Sequence, residues 1–325
     1  MPQRWELLGL MAAWTAVFHV WGTSTLGYVN TPSLFGWWFW VYSRGADRPD
    51  GSIDFSRLLN HDEAYAWFIP LVVVFLIWNR RDQVLALTRK GSWAGLAILG
   101  LGGLVHILGY MVQQSRISVL GYCLGLYGLT GVVWGAGWLR LTAFPFALFV
   151  FCVPIGTAGE ALTVPLRLLA TKVTAVVCHY GLGINVVQRG NLLFEPGGAY
   201  QYEVAAACSG IRSLTAIVAF SLIYGYLSFN TLWRRLILLG ASVPLAVVAN
   251  VFRLSLIVLA AEAFGQQAGD YVHESSWLSM APYIPAIGGM LALGWWLSEE
   301  RKSKRHQKLR EPGEDVLLKG AEQKP

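Results

Sequence analysis

Glu203-Val-Ala-Ala-Ala-Cys208-Ser-Gly-Ile-Arg212-Ser-Leu opens an apolar segment over 205–230, and Arg234-Arg235 separates it from a second over 234–261. Roughly 20 apolar residues cross a hydrocarbon core about 30 Å thick, so this pair predicts two membrane-spanning helices in succession. Working outward, comparable segments lie at 7–29, 63–79, 91–112, 117–138, 141–157 and 277–297, giving about eight spans in all. The composition agrees, with 55% of 325 residues hydrophobic and 14% charged, against roughly 25% charged in a soluble domain. Fifteen tryptophans fit as well, because indole rings gather where hydrocarbon meets water. The sequence therefore predicts an all-α polytopic membrane protein. Its membrane domain covers 1–299, and a basic cytoplasmic tail over 300–325 is polar enough to stay disordered. The first apolar run follows an arginine without a small-x-small cleavage site, and reads as a retained signal anchor.

Charge sets the direction of the spans. Arg80-Arg81, Arg89-Lys90, Arg140, Arg234-Arg235 and the tail Arg301-Lys-Ser-Lys304-Arg305 all follow or precede predicted spans. With the N-terminus inside, an eight-span count puts every one of these clusters in the cytoplasm, as the positive-inside rule requires. The net charge of +6 is thus a topology signal, and no nucleic-acid partner is expected. The same count places Cys208, Arg253 and His273 at the outer face, with His273 in the loop after the seventh span. In a Gram-negative cell that is the periplasmic side of the inner membrane.

Segment 158–204 decides whether this count holds, since a span over 161–180 would turn Cys208 inward. Glu160, Thr163, Arg167, Thr171, Thr174 and Cys178 recur every three or four positions, which is one stripe of a helix. This predicts an amphipathic helix at the outer interface, or one lining a cavity. Leu192-Leu-Phe-Glu and Tyr200-Gln-Tyr-Glu-Val flank Pro196-Gly-Gly-Ala, the pattern of a short β-hairpin leading directly to Cys208.

The residues at the outer face form a candidate constellation. A thiol at a helix N-terminus is favoured as thiolate by unpaired amides and the helix dipole. The amides of Ser209 and Gly210 point where an oxyanion forms during acyl transfer. Arg212 lies at i+4 from Cys208, on the same helical face. An arginine such as Arg253 inside a span costs roughly 3 kcal/mol unless it meets a polar cavity or the interface. Asn250, one turn earlier, favours a polar pocket. His273 sits in Asp270-Tyr-Val-His273-Glu274, among carboxylates that can orient the ring, and His61 is a competing base.

Each residue also has a plainer reading. Cys208 can be a small packing residue, Arg253 can snorkel, and a loop histidine is commonly just solvated. His19 and His106, within spans, read as packing residues. Cys123, Cys152 and Cys178 lack metal-ligand spacing, and a Cys178–Cys208 disulfide would consume the thiol. No phosphate-binding loop, zinc motif or cofactor signature is present, so no metal or cofactor is expected. A transporter or channel with a polar pathway around Asn250 and Arg253 is the alternative reading. Scattered outer acidic residues, Asp47 to Glu63, leave a glycan- or lipid-handling enzyme as a further one.

The run Glu203-Val-x-x-Ala-Cys208-Ser-Gly-Ile-Arg212-Ser resembles the nucleophile motif of the exosortase/archaeosortase family, and Asn250-Val-Phe-Arg253 resembles its arginine motif. His273 fits its third, variable position. Weaker similarity touches His61 with Phe68-Ile-Pro-Leu, Phe151-Cys-Val-Pro154, Val164-Pro-Leu and Gly190-Asn-Leu-Leu-Phe. His61 is followed by Asp62-Glu63 where the family pattern suggests glycine. The resemblance implies a membrane cysteine protease or transpeptidase. Its partners would be exported proteins with a C-terminal sorting signal (a short motif, Pro-Glu-Pro in many bacterial substrates, then a transmembrane helix and a basic cluster). Membrane lipid and an acceptor molecule complete the set. It further implies Cys208 as nucleophile through a thioester, Arg253 with Arg212 as stabilising cations, and His273 as base and acid.

Overall fold

Glycine sets the closest helix packing in the first half of the chain. At Gly102 a β-carbon would lie 2.6 Å from the backbone nitrogen of Gly125, and at Gly128 it would lie 2.4 Å from that of Leu99. The two helices bearing them touch backbone to backbone. In lipid this is how helices associate, since small residues allow dispersion contact where no hydrophobic drive exists between them.

The computed structural model describes residues 2–24, 29, 31–43, 64–87, 90–154, 160–203, 211–275 and 283–298. The chain forms two units, Met1–Gly159 and Glu160–Pro325. In the first, α1 spans Pro2–Val20, α2 Leu34–Ser43, α3 Ile69–Asn79 after a 3-10 turn, and α4 the short Arg81–Leu85. The glycine-packed pair is α5, Trp93–Met111, and α6, Ser115–Trp134. Helix α7, Ala136–Ala147, continues two residues beyond its internal Pro145 and passes into a 3-10 stretch, Leu148–Cys152. Phe18, Leu34, Trp37 and Val119 centre this unit's core. The His106 ring packs 4.1 Å from the Phe18 ring, and His19 Nδ1 lies 3.0 Å from Ser33 Oγ.

Helix α2 is absent from the sequence expectation. Its ten residues fall short of a span, so a length criterion passes over it. Tertiary bonds fix it instead: Trp38 Nε1 and Tyr42 Oη both donate to the carbonyl of Cys152, at 2.9 and 2.8 Å.

In the second unit, α8 runs Glu160–Val176 and ends in a π turn, Val177–Gly181. Strands β1 Val187–Arg189, β2 Leu192–Phe194 and β3 Gln201–Glu203 follow, then α9 Ile211–Ser228, α10 Leu232–Phe264, α11 Gln266–Glu274 and α12 Tyr283–Leu297. The expected hairpin is present as β2–β3, with Leu193 opposite Tyr202. A third strand, β1, adds to its other side, pairing Gln188 with Leu193. The turn from α9 to α10 is held by Arg235, whose Nε and Nη2 donate to the carbonyl of Phe229 at 2.9 and 2.6 Å. Ala286 and Met290 of α12 are fully buried with Leu214 and Ile217 of α9 and Ala246 and Ala249 of α10.

In α8 and the turn that ends it, the later part of the polar stripe faces the protein and not water. Thr171, Thr174 and Cys178 are wholly buried, whereas Val164, Leu168, Leu169 and Val176 are exposed. Both threonines bond back to their own helix, at the carbonyls of Arg167 and Ala170. A helix lying free at an interface would leave its polar side in water, whereas Thr171 and Thr174 here are buried.

Helices α5, α6 and α10 are each long and apolar enough to cross a bilayer. Five shorter apolar helices, Trp5–Val20, Tyr65–Asn79, Ala136–Cys152, Leu214–Ser228 and Tyr283–Leu297, stand at the remaining predicted positions. The chain is a membrane protein, mostly helical among the described residues, with a small three-stranded sheet.

Candidate functional site

The site is built on α10. Its 33 residues extend about 50 Å at 1.5 Å per residue, well beyond a hydrocarbon core. The sheet packs on the C-terminal half of this helix: Leu193, Tyr200 and Tyr202 share a core with Leu254, Ile257, Val258 and Ala261. Cys178, from the end of α8, joins the same core. Period-2 alternation explains the two tyrosines, since Tyr200 and Tyr202 point to one face and Gln201 between them is exposed.

Polar anchors hold the sheet there. Tyr200 Oη donates to Glu262 Oε2 at 3.0 Å, and Tyr202 Oη donates to the carbonyl of Gln266 at 2.9 Å. Burial raises the Tyr202 phenol to about 12, helped by the negative charge of Asp270. Burial also raises Tyr200, and its bond to Glu262 adds to the effect. Both phenols therefore stay protonated and donate throughout the physiological range. At the β2–β3 turn the amide of Ala199 donates to Glu195 Oε2 at 3.1 Å. With the amides of Gly197 and Gly198 it holds this carboxylate below its ordinary value. A cavity of 590 Å³ opens beside the turn, lined by Glu195, Tyr200, Gln201 and Gln266 among others.

Arg253 and Asn250 lie on α10 just before the sheet-bearing turns, Asn250 buried and Arg253 half-buried. Arg253 Nη2 donates to the backbone carbonyl of His273 at 3.5 Å, across from α10 to α11. Its Nε is buried and has no partner among the described residues. His273 is therefore at the end of a helix, α11, and not in the loop expected from sequence. Gly265, at φ +85°, makes the sharp corner that folds α11 back on α10. Gly269 lets α11 approach the sheet, for a β-carbon there would meet Tyr202 Oη at 2.0 Å. Asp270 precedes His273 by one turn on α11.

Cys208, Ser209, Gly210 and His61 lie outside the described residues, and of Arg212 the structure describes only its place in the first turn of α9. The described chain on either side of Cys208 is informative. β3, which ends at Glu203, rests on Leu254–Ala261 through Tyr202. Gly225 of α9 faces Arg235 and Leu238. Counting equal residue numbers back along this antiparallel pair brings Ile211 level with Asn250. The candidates that the structure brings together are Arg253, His273 and, one turn away, Asn250. Among the described residues no cluster of His, Cys, Asp and Glu suits a metal ion.

Sequence reasoning missed Tyr200, Tyr202 and Glu262 as supports of the site. The tyrosine alternation was legible, but the partner of each hydroxyl depends on α10 and α11 folding back. Arg167, expected only as part of a helical stripe, has a buried Nε without a partner among the described residues.

Residues 57–287 match the family model of the transmembrane exosortases. This stretch takes in most of the chain and includes every candidate residue named above. The chain therefore belongs to the transmembrane exosortase family, a family of cysteine-type processing enzymes. Neither the curated proteins nor the solved structures give a significant match.

Proposed function

We propose that this transmembrane exosortase cleaves the C-terminal sorting signal of exported proteins through a thioester on Cys208 and passes the new C-terminus to an acceptor. The observation that carries the reading is the contact of Arg253 with the α11 segment bearing His273, inside the region matched to the family. In the proposed reaction the Cys208 thiolate attacks the scissile carbonyl and forms an S–C bond. The C–N bond then breaks, and the leaving amine takes a proton from His273. A nucleophilic group of the acceptor, or water, gives its proton to His273 and attacks the thioester carbonyl; the C–S bond breaks and the thiolate is restored. Arg253, with Arg212, balances the negative charge on sulfur and on the oxyanion, a role shared by the amides of Ser209 and Gly210. The cavity beside Glu195 and Gln201 takes polar side chains of the signal as it approaches along the sheet.

The topology proposed with this function has eight spans and the basic clusters on the cytoplasmic side. Starting the hydrocarbon just after Arg235, 30 Å of helix reaches the neighbourhood of Ser255. Arg253 is then at the outer boundary, where a membrane-anchored substrate presents its cleavage site. The enzyme resides in the inner membrane, with its site facing the periplasm and its tail in the cytoplasm.

The test is co-expression of a tail-bearing secreted substrate with wild type, Cys208→Ala, Arg253→Met or His273→Ala, followed by intact mass. Shortening of the substrate by wild type and an intact tail with Cys208→Ala are expected. Normal shortening with Cys208→Ala overturns the thiol mechanism.

A further inference from the structure

The first unit carries two cavities lined by residues that the proposed processing chemistry does not use. Helix α6 passes into α7 through Gly135 at φ +91°, which sets Trp134 and Trp138 edge to face with ring centroids 4.2 Å apart. These indoles form one wall of a cavity of 470 Å³ whose other walls include Leu8 and Met11 of α1, Val84 of α4 and Leu87 just after it. Its lining is almost wholly apolar. A neighbouring cavity of 400 Å³ is lined by Arg80, Gln83 and Arg140, and Leu87 lines both. Gly137 also lines the second cavity; a β-carbon there would press on Leu87 at 3.1 Å.

An apolar cavity that shares the wall residue Leu87 with a cavity bearing two guanidinium groups matches a ligand with a hydrocarbon body and an anionic head. We propose that this pair of cavities binds one anionic phospholipid, an acyl chain against Trp134, Trp138 and Met11 and the phosphate against Arg80 and Arg140. Each cavity falls within the ordinary size range of small-molecule sites, roughly 300–1,000 Å³. Guanidinium suits the head because it bonds phosphate with two parallel N–H groups, and in a zwitterionic head the lipid's own cation partly offsets the phosphate charge. Basic pockets between membrane helices are the usual receptors of such heads. Arg80 and Arg140 belong to the clusters read as cytoplasmic, so the lipid would come from the inner leaflet.

The experiment uses the full-length chain purified in mild detergent and native mass spectrometry after titration with three probes. These are phosphatidylglycerol, phosphatidylcholine with the same acyl chains, and inorganic phosphate. One phosphatidylglycerol retained per chain is expected, with at least tenfold weaker retention of phosphatidylcholine and none of phosphate. Arg80→Gln with Arg140→Gln should weaken phosphatidylglycerol retention at least tenfold. Arg81→Gln with Lys90→Gln, which removes equal charge outside the cavities, should leave it unchanged. Leu87→Trp, which fills the junction, should weaken retention without altering charge. Equal retention of the two lipids, equal loss with both double variants, or full retention by Leu87→Trp overturns the proposal. Binding of phosphate alone overturns it in favour of a simple anion site.

Discussion

Replacing Arg253 by methionine separates a catalytic arginine from a structural one. Among the described residues its guanidinium makes one hydrogen bond, 3.5 Å long, and its buried Nε has no partner. A bond at that length contributes at most about 1 kcal/mol, and a buried donor without a partner costs about 1–3 kcal/mol. Methionine keeps the unbranched stem of the side chain and removes both terms. The stability change works out as neutral to about 3 kcal/mol stabilising, a melting shift of no more than roughly 6–12 °C upward. Catalysis responds in the opposite sense. Removing one donor from a developing negative charge costs about 10²–10³ in rate, or about 2.7–4 kcal/mol. The assay is the initial rate of tail release from a substrate reconstituted in liposomes, with melting of the same preparation. Arg253→Lys, which keeps charge but not the fork, should fall between the two. Processing by Arg253→Met within threefold of wild type refutes the argument. So does a melting temperature lowered by more than about 5 °C, which would make Arg253 a structural tie.

Three further outcomes are expected. Gly269→Val drives a side chain into Tyr202, so it should destabilise by about 1–3 kcal/mol; Tyr202→Phe in the same chain should recover part of the lost melting temperature, which a double-mutant cycle measures. Glu195 is held below its ordinary value by three turn amides; a depressed carboxylate stabilises above its unfolded pKa and loses that contribution as pH falls through the folded one. Melting of wild type should therefore drop on acidification below the ordinary carboxylate range more than melting of Glu195→Gln, and parallel curves would remove Glu195 from the account. Gly128→Leu puts a side chain into the backbone of Leu99 and should reduce the yield of folded protein in detergent, whereas Gly103→Leu, which meets open space, should not.

The sequence by itself determined the class of the molecule and the positions of its apolar helices. Hydropathy is a local sum over about twenty residues, and lipid demands that each spanning segment satisfy its own backbone. The β2–β3 hairpin was legible for the same reason, because alternation and a Pro-Gly-Gly turn are local. The spacing of Cys208, Arg212, Asn250 and Arg253 could be read as one chemistry, but not as one place. Only the tertiary structure decided that His273 ends a helix, for that depends on the corner at Gly265 and on the glycine that lets α11 meet Tyr202. It also decided which face of α8 turns inward. Periodicity shows that a helix has two faces, but whether the polar one meets water or protein depends on what packs against it. Helix α2 is the clearest case: ten residues too short to announce a span are held by two bonds to Cys152, more than a hundred residues away. Such partners are set by chain reversal over long separations, and no local pattern carries them.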